Sequence, residues 1–442
     1  RDSRTYGFVR ANGTTYCFLG RRDGARQLKQ TDVSVSAFGT HYTFEGDGFT
    51  LKVDFVSPLL PNDLKRLSCP VCYTEYEASF EGEVPADFSV AIALDEEYCY
   101  NNENAKTVGG VLPLNGYEAA FMTRLRNLVM SNADDIAAPD WGDVYLTGEE
   151  AFFVTDAALN EYIFAGEAKY VRKDRERNYL FAVSKSPKGY FMTAFDDKVS
   201  IFYFGEWLKG YYFRKGKTII DALNESRKNH DDILVQCAAF DKKLKEDCEK
   251  VGKDYYTLAC AALRQSVGAH TLVENAKGDL LFLSKECDSN GCIGTADVSY
   301  PSIPLFLIYN PELVNAMMTG IFDFAKMPVW TYDFAPHDIG TYPWCIGQVY
   351  GVKNRDDKYS CNMTCFWEYP RTPTMLYLRP AASEVYEEKY QMPVEECGNM
   401  LIMTAAAMLA GASEKQAKKN FPLLKKWVKY LEKYGLKPSN QL

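Results

Sequence analysis

The chain has 442 residues, of which 47% are apolar, 14% aromatic and 25% charged, with a net charge of −9. That balance is globular and excludes a wholly disordered, collagen-like or coiled-coil chain. The acidic excess argues against nucleic acid as the main partner, because phosphate binding needs a basic face, and no apolar run is long enough to mark a membrane span.

The first half reads as β-structure. Phe49, Leu51, Val53 and Phe55 alternate with Thr50, Lys52 and Asp54. The turn Gly46-Asp47-Gly48 precedes them, and Tyr42 and Phe44 alternate before it, which predicts a hairpin with one buried face. The same period recurs at Phe88, Val90, Ile92 and Leu94 and at Val199, Ile201 and Tyr203. Short strands separated by turn signals predict a large antiparallel sandwich over residues 1–215. Cys69-Pro-Val-Cys72 is a single CxxC. The nearest second pair for a zinc ribbon is Cys361 and Cys365, so buried thiols are the expected state of most of the 13 cysteines.

From Thr218 on the period is helical, with Ile219, Leu223, Ile233, Val235 and Leu244 among charged residues. Further helices are predicted over 255–270, with Leu258, Ala262, Val267 and Ala269 as the apolar side, and over 311–326, opened by Pro311. The stretch 393–409 is apolar nearly all round and should be buried on every side. The stretch 413–434 carries one stripe, Leu424, Trp427, Val428, Leu431 and Tyr434, and its basic residues predict a solvated outer face. A buried helix followed by an amphipathic one is the alternation of an (α/α)6 toroid. About six helices, or three hairpins, are expected over 216–442, which is part of such a ring.

Three segments among the helices concentrate polar groups: 284–301, which includes Glu286, Asn290 and Asp297; Pro336-His337-Asp338-Ile339-Gly340-Thr341-Tyr342; and 391–400, which includes Glu395, Glu396 and Asn399. Glu395 and Glu396 fall in the first turn of an apolar helix, where the helix dipole favours carboxylates. Two adjacent desolvated carboxylates are costly, and such a pair can divide acid and base roles. Gly291-Cys292-Ile293-Gly294 lacks the lysine and spacing of a phosphate-binding loop. His337, Asp338 and Asp297 have no HxH or HExxH spacing, so no metal and no cofactor is expected.

These segments resemble the glutaminase A family. The likeness is carried by Arg264-Gln265-Ser266, Phe282-Leu283-Ser284-Lys285-Glu286, residues 289–297, Tyr300-Pro301-Ser302, Leu307-Ile308-Tyr309-Asn310-Pro311, residues 335–343 and residues 392–400. A looser likeness runs through Thr14-Thr15-Tyr16-Cys17-Phe18 and residues 55–61. The resemblance implies a β-sandwich followed by a six-hairpin, glycosidase-like domain. It also implies hydrolysis of the side-chain amide of L-glutamine to glutamate and ammonia. It suggests a secreted or extracytoplasmic protein, although the odd, unpatterned cysteines leave a cytoplasmic one open. A further segment or second fragment is expected to complete the ring.

On that reading Asp338 or Glu395 activates water, and Glu396 or Asp297 protonates the leaving ammonia. Glu286, Asn290, His337, Tyr342 and Asn399 contact a small-molecule substrate, glutamine or a glycan. A covalent route would use Cys292 or Ser289, and no base paired with either is evident. A glycoside hydrolase with a carboxylate pair, or a non-catalytic binding protein, are the alternatives.

Overall fold

The computed structural model describes residues 5–100, 105–131, 141–164, 176–252, 254–286, 290–353 and 375–438. Its first half is two antiparallel layers. One sheet runs in the order β12-β13-β8-β1-β2-β3: Glu150–Thr155, Asn178–Ser184, Ser89–Asp95, Thr5–Ala11, Thr14–Leu19 and Arg26–Gln27, with only the β2–β3 pairing parallel. The other runs β4-β5-β6-β7-β14-β11-β10-β9: Lys29–Val35, Gly39–Gly46, Phe49–Val56, Val71–Phe80, Lys188–Asp196, Asp143–Gly148, Tyr117–Arg124 and Thr107–Leu114. The expected hairpin is β5–β6, with Gly48 at φ +78° in its turn.

The inner faces meet through Val9, Ile92, Leu94 and Leu180 from one sheet and Phe44, Leu51, Val53, Leu146 and Phe191 from the other. Each such side chain contributes roughly 1.5–3 kcal/mol. Strand β8 is buried at every position, not on one face. Its Ala91 and Ala93 pack outward against Leu159 and Ile163 of helix α2, Asp156–Ile163. The stretch around Ile201 and Tyr203 is not a sandwich strand. It forms a small separate sheet, β15 (Ile201–Tyr203), with β16 (Glu206–Leu208) and β19 (Trp344–Cys345).

A short helix, α1 (Leu64–Leu67), lies between β6 and β7. The helical part begins with α3 (Ile219–Lys228) and α4 (His230–Glu249). Ile219, Leu223, Ile233 and Cys237 join the outer face of the larger sheet at Val71, Tyr73, Met192 and Ala194 in one apolar cluster. The Tyr73 hydroxyl donates to the Ser226 carbonyl at 2.9 Å. Then come α5 (Tyr255–Gly268), the hairpin β17 (His270–Glu274) and β18 (Leu280–Ser284), α6 (Ala296–Tyr309), α7 (Pro311–Phe324), α8 (Pro393–Leu409) and α9 (Lys415–Tyr434). Helices α6, α7 and α8 pack on one another, and α9 covers α8 and α7.

Several expectations change. Helix α6, which contains Pro301 and Pro304, is not among the expected helices, and the described residues hold seven α-helices after residue 217 rather than about six. In α5 the buried side is Cys260, Leu263 and Val267, while Leu258 is exposed. The helix buried nearly throughout is α7, not α8. One side of α8 is open to solvent at Ile402, Met408 and Leu409. In α9, Leu424, Trp427 and Tyr430 are buried, whereas Val428 is exposed. No helix among the described residues is long and apolar enough to cross a membrane. Cys69 and Cys72 are free thiols, and the expected partner pair at 361 and 365 lies outside the described residues.

Candidate active site

The three polar segments meet. Residues 290–295 lie beside 336–344: Ile293 N–H donates to the Gly340 carbonyl at 3.0 Å, Tyr342 N–H to Gly291 at 2.9 Å and Ala296 N–H to His337 at 2.9 Å. Gly340 makes this approach possible. Its φ is +151°, and a Cβ there would stand 2.0 Å from the Trp344 carbonyl oxygen.

Asp338 is 0% exposed. Its Oδ1 accepts N–H bonds from Gly340 and Val349, both at 2.9 Å, and its Oδ2 accepts from Tyr350 N–H at 3.1 Å. Oδ2 also takes the His337 Nδ1 proton at 2.9 Å. Its oxygens are thus engaged by three backbone N–H groups and the imidazole, and these bonds fix the orientation of the His337 ring. The imidazole stacks on the Tyr350 ring at 4.3 Å, and His337 N–H donates to Gln348 Oε1 at 2.7 Å. Burial opposes charge on His337. The bond to Asp338 and the charges of Asp338, Glu396 and Asp297 outweigh it and push the pKa up to about 9.

Two helix N-termini aim carboxyls at this imidazole. Asp297 lies in the first turn of α6, and its Oδ2 is 3.7 Å from His337 Nε2. Its side chain is 25% exposed, so water reaches it. Glu396 lies in the first turn of α8 and is 1% exposed. No well-aligned hydrogen bond reaches its carboxyl oxygens, although the Asn399 side chain lies close enough to favour the charged form, and Asp297 Oδ1 is unpartnered. Burial pushes the Glu396 pKa well above the usual range. The His337 charge pulls the other way, and Asp297 and Glu395 raise it further. Burial thus favours the neutral form of Glu396, beside the solvent-reached Asp297.

Glu395 is half-buried and stands outside this cluster, because the next residue on a helix points about 100° away. Asn290 turns its own loop, its Oδ1 accepting the Cys292 N–H at 2.9 Å. The Lys285 ammonium lies over the Tyr342 ring at 4.7 Å, and Glu286 N–H donates to the Cys292 carbonyl at 2.8 Å. Ser289 lies outside the described residues.

Donor atoms of Asp297, His337 and Glu396 all lie within 4.8 Å of one another, as do those of Cys292, His337 and Asp338. The first set has donor types that suit a divalent ion. The bare Glu396 oxygens equally suit a shared proton. In the second set, Asp338 is already saturated by backbone donors.

Gln348 lies outside the three polar segments, and Gln391 opens the third of them. Gln348 Nε2 donates to Gln391 Oε1 at 2.6 Å, which ties the His337 loop to the segment that opens α8. Both amides are buried, at 0% and 1% exposure. A glutamine in an apolar neighbourhood was the available sign.

The chain matches two family models: the Glutaminase A six helical-hairpin domain over residues 252–442, and a Domain of unknown function (DUF5127) over residues 39–247. The chain belongs to the glutaminase A family. Glutaminase A of Aspergillus oryzae (strain ATCC 42149 / RIB 40) is 26% identical, over 99% of this chain and 61% of that protein. Probable glutaminase/05536 of Arthroderma benhamiae (strain ATCC MYA-4681 / CBS 112371) is 22% identical, over 89% of this chain and 44% of its own length. The chain thus spans less than two thirds of the length of either glutaminase relative. Among solved structures, a bacterial glucoamylase complexed with acarbose is similar with a TM-score of 0.41 and 10% identity, covering 97% of this chain and 61% of that one. At that distance it bears on neither substrate nor mechanism.

Proposed function

We propose that this member of the glutaminase A family is a hydrolase of a terminal carboxamide, with L-glutamine as the first candidate substrate. The observation that carries the reading is the unequal pair of carboxyls. Glu396 is buried, which pushes its pKa well up, and Asp297 is reached by solvent within a few ångströms of it.

On this reading the residues divide the work as follows. Asp297 takes a proton from water as the water oxygen attacks the amide carbon. The charge that builds on the carbonyl oxygen is met by His337, whose Nδ1–H is spent on Asp338 and whose Nε2–H faces the cluster. Glu396 gives its proton to the amide nitrogen, the C–N bond breaks, and ammonia leaves with a carboxylic acid as the second product. The Asn399 Nδ2 donor, one turn along α8, is available to the substrate.

A glycosidase also uses one protonated and one ionised carboxyl. An inverting enzyme needs its carboxyls about 6.5–9.5 Å apart to seat a water. Asp297 and Glu396 place donor atoms within 4.8 Å, nearer the about 5–5.5 Å of a retaining enzyme than the inverting spacing. Family membership favours the amide over a retaining glycosidase. The test is ammonia release from L-glutamine beside reducing-sugar release from a glycan panel. Ammonia production lost in Asp297→Asn supports the reading. Sugar release without ammonia replaces it with a glycosidase, and neither product with a binding protein.

A further inference from the structure

A second constellation lies in the β-sandwich, apart from the carboxyl cluster. In the cross-strand pair His41–Asp54 of β5 and β6, His41 Nδ1 lies 2.8 Å from Asp54 Oδ1. On the other side of the ring, His41 Nε2 lies 2.9 Å from the Ser36 hydroxyl. With the proton on Nδ1 directed at Asp54, Nε2 accepts from Ser36, which is the order of a serine nucleophile, its base and the group that orients the base. A weaker alternative acceptor, the Gly39 carbonyl, is 3.5 Å from the same hydroxyl.

Several features hold this arrangement in place. Ser36 sits in the turn between β4 and β5, and both sides of the turn are anchored from the helical part. Asp241 Oδ1 of α4 accepts the Ala37 N–H at 2.7 Å, and the Arg264 guanidinium of α5 donates to the Gly39 carbonyl at 3.2 Å. Gly39 leaves the space the pair needs: a Cβ there would stand 3.0 Å from His41 Nε2 and 3.1 Å from Ser36 Oγ. The bond to Asp54 raises the His41 pKa against the effect of burial.

Ser36, His41 and Asp54 line one groove of about 350 Å³ between the larger sheet and α4. Phe38, Val56 and Leu234 give it an apolar wall, and Lys52 lines the same groove. Lys52 is two residues from Asp54 on β6 and therefore shares its face of the sheet. Among the described residues, His230 and His270 show no comparable relay. His230 bonds two carboxylates, and His270 Nδ1 donates to the Ser266 carbonyl.

We infer that Ser36, His41 and Asp54 form a second hydrolytic site, in the sandwich, which takes carboxylic esters with a short apolar acyl group. The Ser36 oxygen bonds to the acyl carbon while its proton passes to His41 Nε2. The ester C–O bond breaks, and the alkoxide leaves as an alcohol with that proton. Water, deprotonated by His41, then attacks the acyl-serine and releases the acid, restoring Ser36–OH. Lys52 is the cation available to the oxyanion. The apolar wall selects the acyl group.

The test is labelling of the full chain by a fluorophosphonate probe with the adduct mapped by mass spectrometry, together with turnover of p-nitrophenyl butyrate. The adduct is expected on Ser36 and absent in Ser36→Ala. Labelling and turnover should fall about 10²-fold or more in His41→Gln, and less in Asp54→Asn. Asp297→Asn should leave both unchanged, which separates this site from the amide-cleaving one. Thermal melts matching those of the parent chain show that each variant is folded. An adduct elsewhere, equal labelling in a folded His41→Gln, or labelling of Ser36 without ester turnover overturns the inference.

Discussion

Replacing Glu396 by Gln is the most direct probe of the carboxyl cluster. The carboxyl is buried, and burial favours its neutral form. Gln has nearly the same shape and is also neutral, but it has no proton to give. Loss of a general acid costs about 10²–10⁴-fold in rate. At 1.36 kcal/mol per tenfold, that is about 3–5 kcal/mol of transition-state stabilisation. Stability should move the other way. The folded pKa of Glu396 is raised above its unfolded value near 4.5, so the folded chain holds a proton that the unfolded chain releases. The stability contributed by that proton is complete below pH 4.5 and declines as pH rises toward the folded pKa. Glu396→Gln carries no such dependence. Its advantage over the parent should therefore grow by about 1.4 kcal/mol per pH unit through that window. Ammonia release gives the first quantity, and denaturant melts at several pH values between 4.5 and 7.5 give the second. A variant that keeps activity within a few-fold, or is equally destabilised at every pH, would refute the assignment of Glu396 as a buried acid.

Three further outcomes follow from the same geometry. The raised pKa of His337 contributes stability that is complete below pH 6.5 and disappears as pH climbs through about 9, so the gap in melting temperature between the parent and His337→Gln should close over that interval. Asp338→Asn strips a buried imidazolium of its counter-charge and should cost about 3–5 kcal/mol in a urea melt, with kcat falling more than KM rises. Gly340→Ala forces a Cβ against the Trp344 carbonyl at a left-handed φ, a backbone strain of about 1–3 kcal/mol, and should lower both the melting midpoint and ammonia release.

The period of the side chains by itself announced the β-then-α order. Phe49, Leu51 and Val53 reveal a strand face, and Leu313, Val314, Met317 and Ile321 reveal a helix, because each pattern is written in neighbouring residues. The carboxyls at helix starts were legible for the same local reason, and so was the concentration of polar residues in three segments. Helix α6 was hidden because its prolines oppose the local preference, and packing on α7 and α8 overrides that.

Only the tertiary structure decided which acids meet. Along the chain Glu395 and Glu396 are equivalent candidates. In space, one helical step separates a half-buried carboxylate from an enclosed acid facing Asp297 and His337. Likewise Asp338 has the composition of a base, and three backbone N–H groups from distant parts of the loop turn it into an anchor. A carboxyl's chemistry is set by its desolvation and by the charges and donors around it, and those are brought together by contacts far apart in the chain.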